Sequence, residues 1–360
     1  MKHKGFTLVE LLAVIAILAL LVIIALPNVL KMFNQAKKDT FLTESKNIYK
    51  EISKKYISET MKGNKINIIS NTNNQLDLES NNLKYNIKLK GDGSIKKFQV
   101  SNGTYCLSGK FNNLSDLTTD KITEGKCEEI SPKKFSTDDW EIIIDAIREG
   151  NTSKYNVGDT KEIDLGSYGK HTLRIANKST PNECSNTNFS QSACGFVLEF
   201  ADVIITHKMN DTNINIGGWP ASSMYTFVNN DIYNAIPDEI KDAIIDTTVV
   251  SGHGKRDTEN FTSTDKLYLL STAEVWAQGS SNTISDDAAR DVTRQLDYYK
   301  NLGTSTTNRS GAVKKSGYAW WLRVANSSDN NNFYRVNNRG DWSNNNASTI
   351  NGVSPAFRLG

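Results

Sequence analysis

The sequence predicts an α+β chain: one very long N-terminal helix, then a small antiparallel sheet, then a larger mixed α+β domain. Three observations predict it. An apolar run from Phe6 to Leu26 holds a single charge, Glu10, and is long enough to cross a hydrocarbon core of about 30 Å as a helix. Between residues 83 and 100, apolar and polar side chains alternate on either side of Gly91-Asp92-Gly93, the pattern of a hairpin with one buried face. Beyond about residue 135, short strand-like runs are interleaved with helix starts marked by Ser, Pro and acidic residues. At 360 residues and 40.0 kDa the chain has room for two globular units after the helix.

The first element begins with a basic flank, Met1-Lys2-His3-Lys4. By the positive-inside rule this keeps the flank cytoplasmic and sends the body of the chain outside. The residues after the apolar core, Ala25 to Lys31, contain no small-x-small cleavage site, which separates it from an ordinary secretory signal. A carboxylate near the membrane-embedded start of a helix is costly unless paired, so Glu10 is a functional candidate. The helix continues past Pro27, because Ile48, Ile52 and Tyr56 recur at three- to four-residue spacing among polar neighbours. Gly63 and Asn64 end it.

The run Leu83-Lys84-Tyr85-Asn86-Ile87-Lys88-Leu89 then places every apolar side chain on one face, and Ile95 to Val100 returns after the glycine turn. Ser131-Pro132-Lys133-Lys134 reads as a boundary. A helix opens at Trp140 behind Asp138-Asp139 and stops near Gly150. Strands are expected at 160–165, 171–176, 196–205, 265–270 and 320–324, with helices starting near Ser222 and Pro237. Arg323 and Arg358 are expected to pair with buried carboxylates or carbonyls, since a buried arginine needs partners. Four cysteines fall in two local pairs, Cys106 with Cys127 and Cys184 with Cys194, which on an exported chain suggests two disulfides. Zinc is the rival reading, although neither pair has CxxC spacing and no histidine cluster accompanies it.

Composition removes several functions. A net charge of +2 with pI about 8.1 offers no basic footprint for nucleic acid. His3, His171, His207 and His253 are too scattered for a metal site or triad, and GxSxG, HExxH, Walker and dinucleotide fingerprints are absent. The chain is therefore read as a non-enzyme that needs no metal and no cofactor.

Residues 5–10, Gly-Phe-Thr-Leu-Val-Glu, with the apolar run behind them, closely resemble the class-III signal of type IV pilins and pseudopilins. The resemblance covers roughly the first 35 residues. It implies cleavage between Gly5 and Phe6 by a membrane prepilin peptidase, N-methylation of the new terminus, and a role for Glu10 in assembly with other pilin subunits into a helical polymer. The carboxylate would neutralise the amine of Phe6 on a neighbouring subunit at low dielectric. The implied location is the cytoplasmic membrane before assembly and an extracellular pilus or cell surface afterwards.

From Trp140 onward, a second set of landmarks is similar to a family of uncharacterised surface domains of Firmicutes and their phages. These are Tyr155-Asn156-Val157-Gly158-Asp159-Thr160, Gly217-Gly218-Trp219-Pro220, Trp320-Trp321-Leu322-Arg323 and the closing Gly-Val-Ser-Pro-Ala-Phe-Arg-Leu. That family resembles the C-type-lectin-like fold of formylglycine-generating enzymes and of the variable proteins of diversity-generating retroelements. Ten asparagines lie between Asn326 and Asn351, interleaved with aromatic, arginine and acidic residues. In retroelement-diversified domains such loops form the ligand surface, so the resemblance implies ligand binding by Asn330, Asn332, Tyr334, Asn337, Asn338, Asp341, Trp342, Asn344, Asn345 and Asn346. Asparagine supplies donor and acceptor groups, while Tyr and Trp add rigid amphipathic area. The lectin motifs for calcium-dependent sugar binding are absent.

The resulting division is a leader at 1–5, a transmembrane and polymerisation helix at 6–62, a small β head at 63–130 and a lectin-like domain at 135–360. The expected function is a minor type IV pilin-like subunit displaying a binding domain for an unknown protein or glycan ligand on a pilus. The rival is a structural pseudopilin of a type II secretion or competence machine.

Overall fold

The computed structural model describes residues 8–360 apart from 72, 79–81, 126 and 128–131. It divides into two compact units, Met1–Glu129 and Ile130–Gly360.

In the first unit a single helix, α1, runs over Leu8–Met61. Its 54 residues make a rod of about 80 Å at 1.5 Å per residue. The helix is unbroken at Pro27, where one backbone hydrogen bond is lost. Its second half buries Phe41, Ser45, Ile48 and Ile52, a stripe repeating every three or four residues. That stripe joins one hydrophobic core with the sheet formed by β1 (Ile68–Ser70), β2 (Lys84–Leu89), β3 (Ile95–Ser101), β4 (Tyr105–Gly109) and β5 (Ile122–Glu124). The strands lie in sequence order and every neighbouring pair is antiparallel. Tyr85, Ile87 and Leu89 all face inward, as the alternation requires. Gly93 has φ +81° and passes so close to Tyr56 that a Cβ would lie 2.4 Å from the ring. The Tyr56 hydroxyl donates to the Gly91 carbonyl at 2.8 Å, which anchors the hairpin turn to the helix. Cys106 is bonded to Cys127.

The second unit opens with α2 (Trp140–Arg148) and is otherwise dominated by sheet. One antiparallel sheet contains β6 (Thr160–Asp164), β7 (Lys170–Asn177) and β8 (Val197–Phe200). A second contains β9 (Ile205–Lys208), and β10 (Thr247–Ser251) pairs with β11 (Phe261–Asp265) as a separate hairpin. The remaining strands are β12 (Trp320–Ala325), β13 (Asn332–Val336), β14 (Trp342–Asn346), β15 (Ile350–Val353) and β16 (Ala356–Arg358). Strand order is β16-β8-β7-β6 in the first sheet and β14-β13-β12-β15-β9 in the second, where only the β12–β15 pair is parallel. The chain is thus α+β, a long N-terminal helix followed by mostly antiparallel sheet. Trp219, Trp276, Trp320, Trp321, Tyr155, Tyr268 and Tyr299 fill the interior of this unit.

Two expected strands differ from the structure. The run 196–205 is divided: β8 ends at Phe200 and β9, in the other sheet, begins at Ile205. At the crossing the Ala201 amide still bonds the Thr172 carbonyl, and the Ile204 amide already bonds Val353. The run 265–270 is a strand only at Asp265, the end of β11; residues 266–270 form a loop with a single bridge, Tyr268 to Ala356. Its backbone is satisfied by side chains: Asn229 Oδ1 accepts from the Lys266 and Leu267 amides, and Arg323 Nη1 donates to the Leu269 carbonyl at 2.8 Å. An apolar run has no periodicity that tells a strand from such a loop.

Charges inside this unit are paired. Glu199, fully buried, accepts from Arg174 at 2.7 Å, Lys314 at 2.6 Å and the Tyr299 hydroxyl at 2.9 Å. Arg323, also fully buried, forks onto Glu274 at 2.7 and 2.6 Å and donates to the carbonyls of Val250 and Leu269. Arg358 is half-buried and meets an amide carbonyl in place of a carboxylate, the side-chain oxygen of Gln191 at 3.3 Å.

Candidate functional site

Two regions carry chemistry that the scaffold does not need for itself. The first is the start of α1. Glu10 lies in its first turn, while Gly5 and Phe6 fall outside the described residues. Around Glu10, Leu11, Leu12, Ile15, Leu18, Val22 and Leu26 are all more than half or nearly half exposed, on every side of the helix. A helix apolar all round is made for lipid or for other helices, not for water. Its length and composition suffice to cross a membrane.

The second region is the β13–β14 hairpin. Its register sets Asn332 opposite Asn346, Tyr334 opposite Asn344 and Val336 opposite Trp342, so these six share one face. Phe333 with Asn345 and Arg335 with Ser343 lie on the other. β13 is buried on both faces, with Phe333, Tyr334 and Val336 at 1% exposure or less, whereas β14 is the edge of its sheet. Tyr334 is therefore a core residue and offers a ligand no surface. Its ring lies 6.1 Å from that of Trp342, and burial, then Asp286, Asp287 and Asp329, push its phenol well above the usual range. Trp342 is half-buried and donates through Nε1 to the Asn282 carbonyl at 3.1 Å.

The remaining residues gather at the two ends of the hairpin, separated by about 13 Å of strand. At one end are Asn330 and Asn346, both exposed, with Asn332, Asn344 and Asn345 half-buried. Asp329 fixes this end by accepting from the amides of Asn331 and Asn332 and from Asn332 Nδ2 at 2.7 Å. Asn215, fully buried, donates to the carbonyls of Asn326, Asp329 and Asn332 behind it. At the other end Asn337 closes the turn, its Oδ1 accepting from the amides of Arg339 and Asp341, and Asn338 is exposed. Asp341 is bridged to Arg309 at 2.6 Å. Gly340 has φ +86°, and a Cβ there would lie 2.2 Å from the Arg309 carbonyl oxygen. Both turns are thus held by side-chain hydrogen bonds within a rigid frame. Asn332, Asn337 and Asn345 serve that frame, Asn345 Oδ1 accepting from the Asn346 amide and from Thr349, while Asn330, Asn338 and Asn346 are exposed.

Residues that sequence reasoning did not single out flank the hairpin. Arg335, half-buried, donates from Nη1 to Asn351 Oδ1 at 2.8 Å, and its Nε and the Asn351 Nδ2 have no partner. Burial lowers the Arg335 pKa, and no carboxylate opposes that shift. Asn351 sits opposite His207 in the ladder, and the imidazole stacks on Phe227 at 4.3 Å. The one available signal was the alternation in Asn332–Val336, which puts Arg335 on the face away from Tyr334.

The four cysteines are committed to the two bonds Cys106–Cys127 and Cys184–Cys194. Among the described residues no group of three or more His, Cys, Asp or Glu side chains could hold a metal ion.

Residues 1–26 match the prokaryotic N-terminal methylation motif. The N-terminus is type IV pilin-like. That motif implies processing by a prepilin peptidase and assembly with other pilins, and with the apolar helix it fits a membrane-anchored protein later found at the surface. Two disulfides are consistent with extracellular exposure. Residues 196–360 match a domain of unknown function, DUF6273. No curated protein and no solved structure matches the chain.

Proposed function

We propose that the chain is a minor type IV pilin-like subunit whose second unit is a C-type-lectin-like, ligand-binding domain displayed on a pilus. The observation that carries the reading is the exposed apolar first half of α1, which starts within the methylation motif at residues 1–26 and has Glu10 in its first turn. Cleavage after Gly5 frees the Phe6 amine, and Glu10 of a neighbouring subunit is its counter-charge in the low-dielectric bundle. In this reading residues 6–62 polymerise, 63–130 form the head and 135–360 bind. The open amide edge of β14 and the two asparagine turns are the binding surface, and many weak contacts along one filament add avidity.

Mass spectrometry of the subunit from peptidase-positive and peptidase-negative cells tests the first half. Loss of Met1–Gly5 with a methylated Phe6 is expected only in the former, and an intact leader in both sinks the reading. Glu10→Gln is expected to leave cleavage unchanged and to exclude the subunit from filaments. Binding of purified filaments to cell surfaces tests the second half. Replacing Asp341, Trp342 and Asn344 to Asn346 by alanine is expected to reduce it at least about tenfold, the scale of a lost interface anchor. Equal binding would favour a structural pseudopilin.

A further inference from the structure

A second recess in the Ile130–Gly360 unit is independent of the hairpin and belongs to the other sheet. It is a cleft of about 350 Å³ whose walls include Thr187, Phe189, Gln191, Thr248 and Arg358. Its most informative member is Arg358, at the end of β16. The three fully or mostly buried cations Arg174, Lys314 and Arg323 have carboxylates: Arg174 and Lys314 share Glu199, and Arg323 holds Glu274. Among the described residues Arg358 has no ion pair. Its Nη1 donates to the neutral amide oxygen of Gln191, and its buried Nε has no partner. Burial lowers its pKa, and among the described residues no carboxylate opposes that shift. Half-buried and bound only to a neutral amide, the guanidinium keeps donors that can take an anion from outside the chain.

The surroundings suit that anion. Gln191 is fixed by its own Nε2, which donates to the Cys184 carbonyl at 2.7 Å, so its oxygen holds Arg358 in one orientation. The loop that forms this wall is stapled by the Cys184–Cys194 disulfide, which presets the cleft. Thr187 and Thr248 bring hydroxyl groups, and Phe189, 8% exposed, brings an apolar surface. Asp246 also lines the cleft, and its charge is offset by Lys266 at 2.9 Å. Arg358 Nη2 passes over Gly195, where a Cβ would sit 3.6 Å from it and where φ is +72°. The positive φ, and not the contact, is what calls for glycine there.

We propose that this cleft binds a small organic carboxylate, held by Arg358 with the hydroxyls of Thr187 and Thr248 around it. Planar guanidinium recognises carboxylate through paired hydrogen bonds, and a cleft of this size admits one residue of a larger molecule. Two sources present that group, a peptide C-terminus and an acidic sugar.

The test uses the full chain in detergent and isothermal titration calorimetry. The probes are N-acetyl-dialanine against its C-terminal amide, and glucuronate against glucose. At least one acid is expected to bind, at least about tenfold more tightly than its neutral counterpart. Which acid binds names the source. Arg358→Gln is expected to weaken that acid at least about tenfold. Thr187→Glu, at an exposed position, places a competing carboxylate in the cleft and is expected to do the same with the tryptophan emission unchanged. The proposal is overturned if neither acid binds, if acid and neutral forms bind alike, or if the Thr187→Glu chain binds as the parent does.

Discussion

Removing Glu274 isolates the energetics of the second unit, because its carboxylate neutralises a charge that has no access to water. Both Arg323 and Glu274 are 0% exposed. Glu274 accepts from Arg323 Nη1 and Nη2, from Ser192, from the Ser271 amide at 2.9 Å and from Thr293 at 2.9 Å. Replacement by leucine leaves a buried guanidinium without its counter-charge, a loss of about 3–5 kcal/mol. Each donor stranded beside it adds roughly 1 kcal/mol. The sum is comparable with the whole stability of an ordinary domain, about 5–15 kcal/mol. Arg323→Met combined with Glu274→Leu removes the charge itself and is expected to be more stable than Glu274→Leu alone. All six tryptophans lie between Trp140 and Trp342, so their fluorescence during urea unfolding reports this unit and not the first. Burial alone would raise the Glu274 pKa, but the Arg323 charge and hydrogen bonds hold it below the usual value. Stability from this pair is therefore fully present above the unfolded carboxyl pKa, about 4.3, and is lost as the pH falls below it. A loss under about 1 kcal/mol for Glu274→Leu, or a double variant no better than the single one, would refute the reasoning.

Asp265 accepts from Trp219 Nε1 at 2.8 Å but is pushed up by burial to about 6. Its ionised form therefore opposes folding above pH 6, and that cost is relieved as the pH drops through 6 toward 4. Asp265→Asn keeps the acceptor and is expected to raise stability by about 2–3 kcal/mol at pH 8 and by almost nothing at pH 4, read by urea unfolding at both values. Cys184→Ser with Cys194→Ser opens a loop of sequence separation 10, which is expected to lower stability by about 2–3 kcal/mol and to weaken carboxylate binding in the Arg358 cleft. Gly340→Ala meets both a positive φ and a backbone oxygen 2.2 Å away, so a loss of about 2 kcal/mol and faster proteolysis at residues 337–341 are expected.

The sequence was most legible where one period ruled a long stretch. The stripe through Ile48 and Ile52 and the alternation from Leu83 to Leu89 both meet the first core on the faces their spacing assigns. It was least legible in the second unit, where side chains replace the ladder. The backbone at Lys266 and Leu267 is capped by Asn229 and that at Leu269 by Arg323, long-range contacts with no local trace. The change of sheet between Phe200 and Ile205 is likewise set by Thr172 and Val353, far away in sequence. At the hairpin, composition identified the asparagines but could not sort them. Which ones build turns depends on Asp329 and Arg309, and Tyr334 is buried because β13 lies inside its sheet and not at its edge. Arg358 looked like one more core arginine, since nothing local tells a missing carboxylate from a distant one.

The pairing of β16 with β8 sets a timetable for the molecule. Ala356 locks onto Glu199 and Phe357 onto Leu198, so the first sheet lacks a strand until the most distant one has been delivered. Until that pairing forms, the Val197–Phe200 strand has β7 on one side and no neighbour on the other. Residues 356–358 therefore complete the first sheet only by a contact that spans about 160 residues of chain, a step that costs loop-closure entropy before it is rewarded.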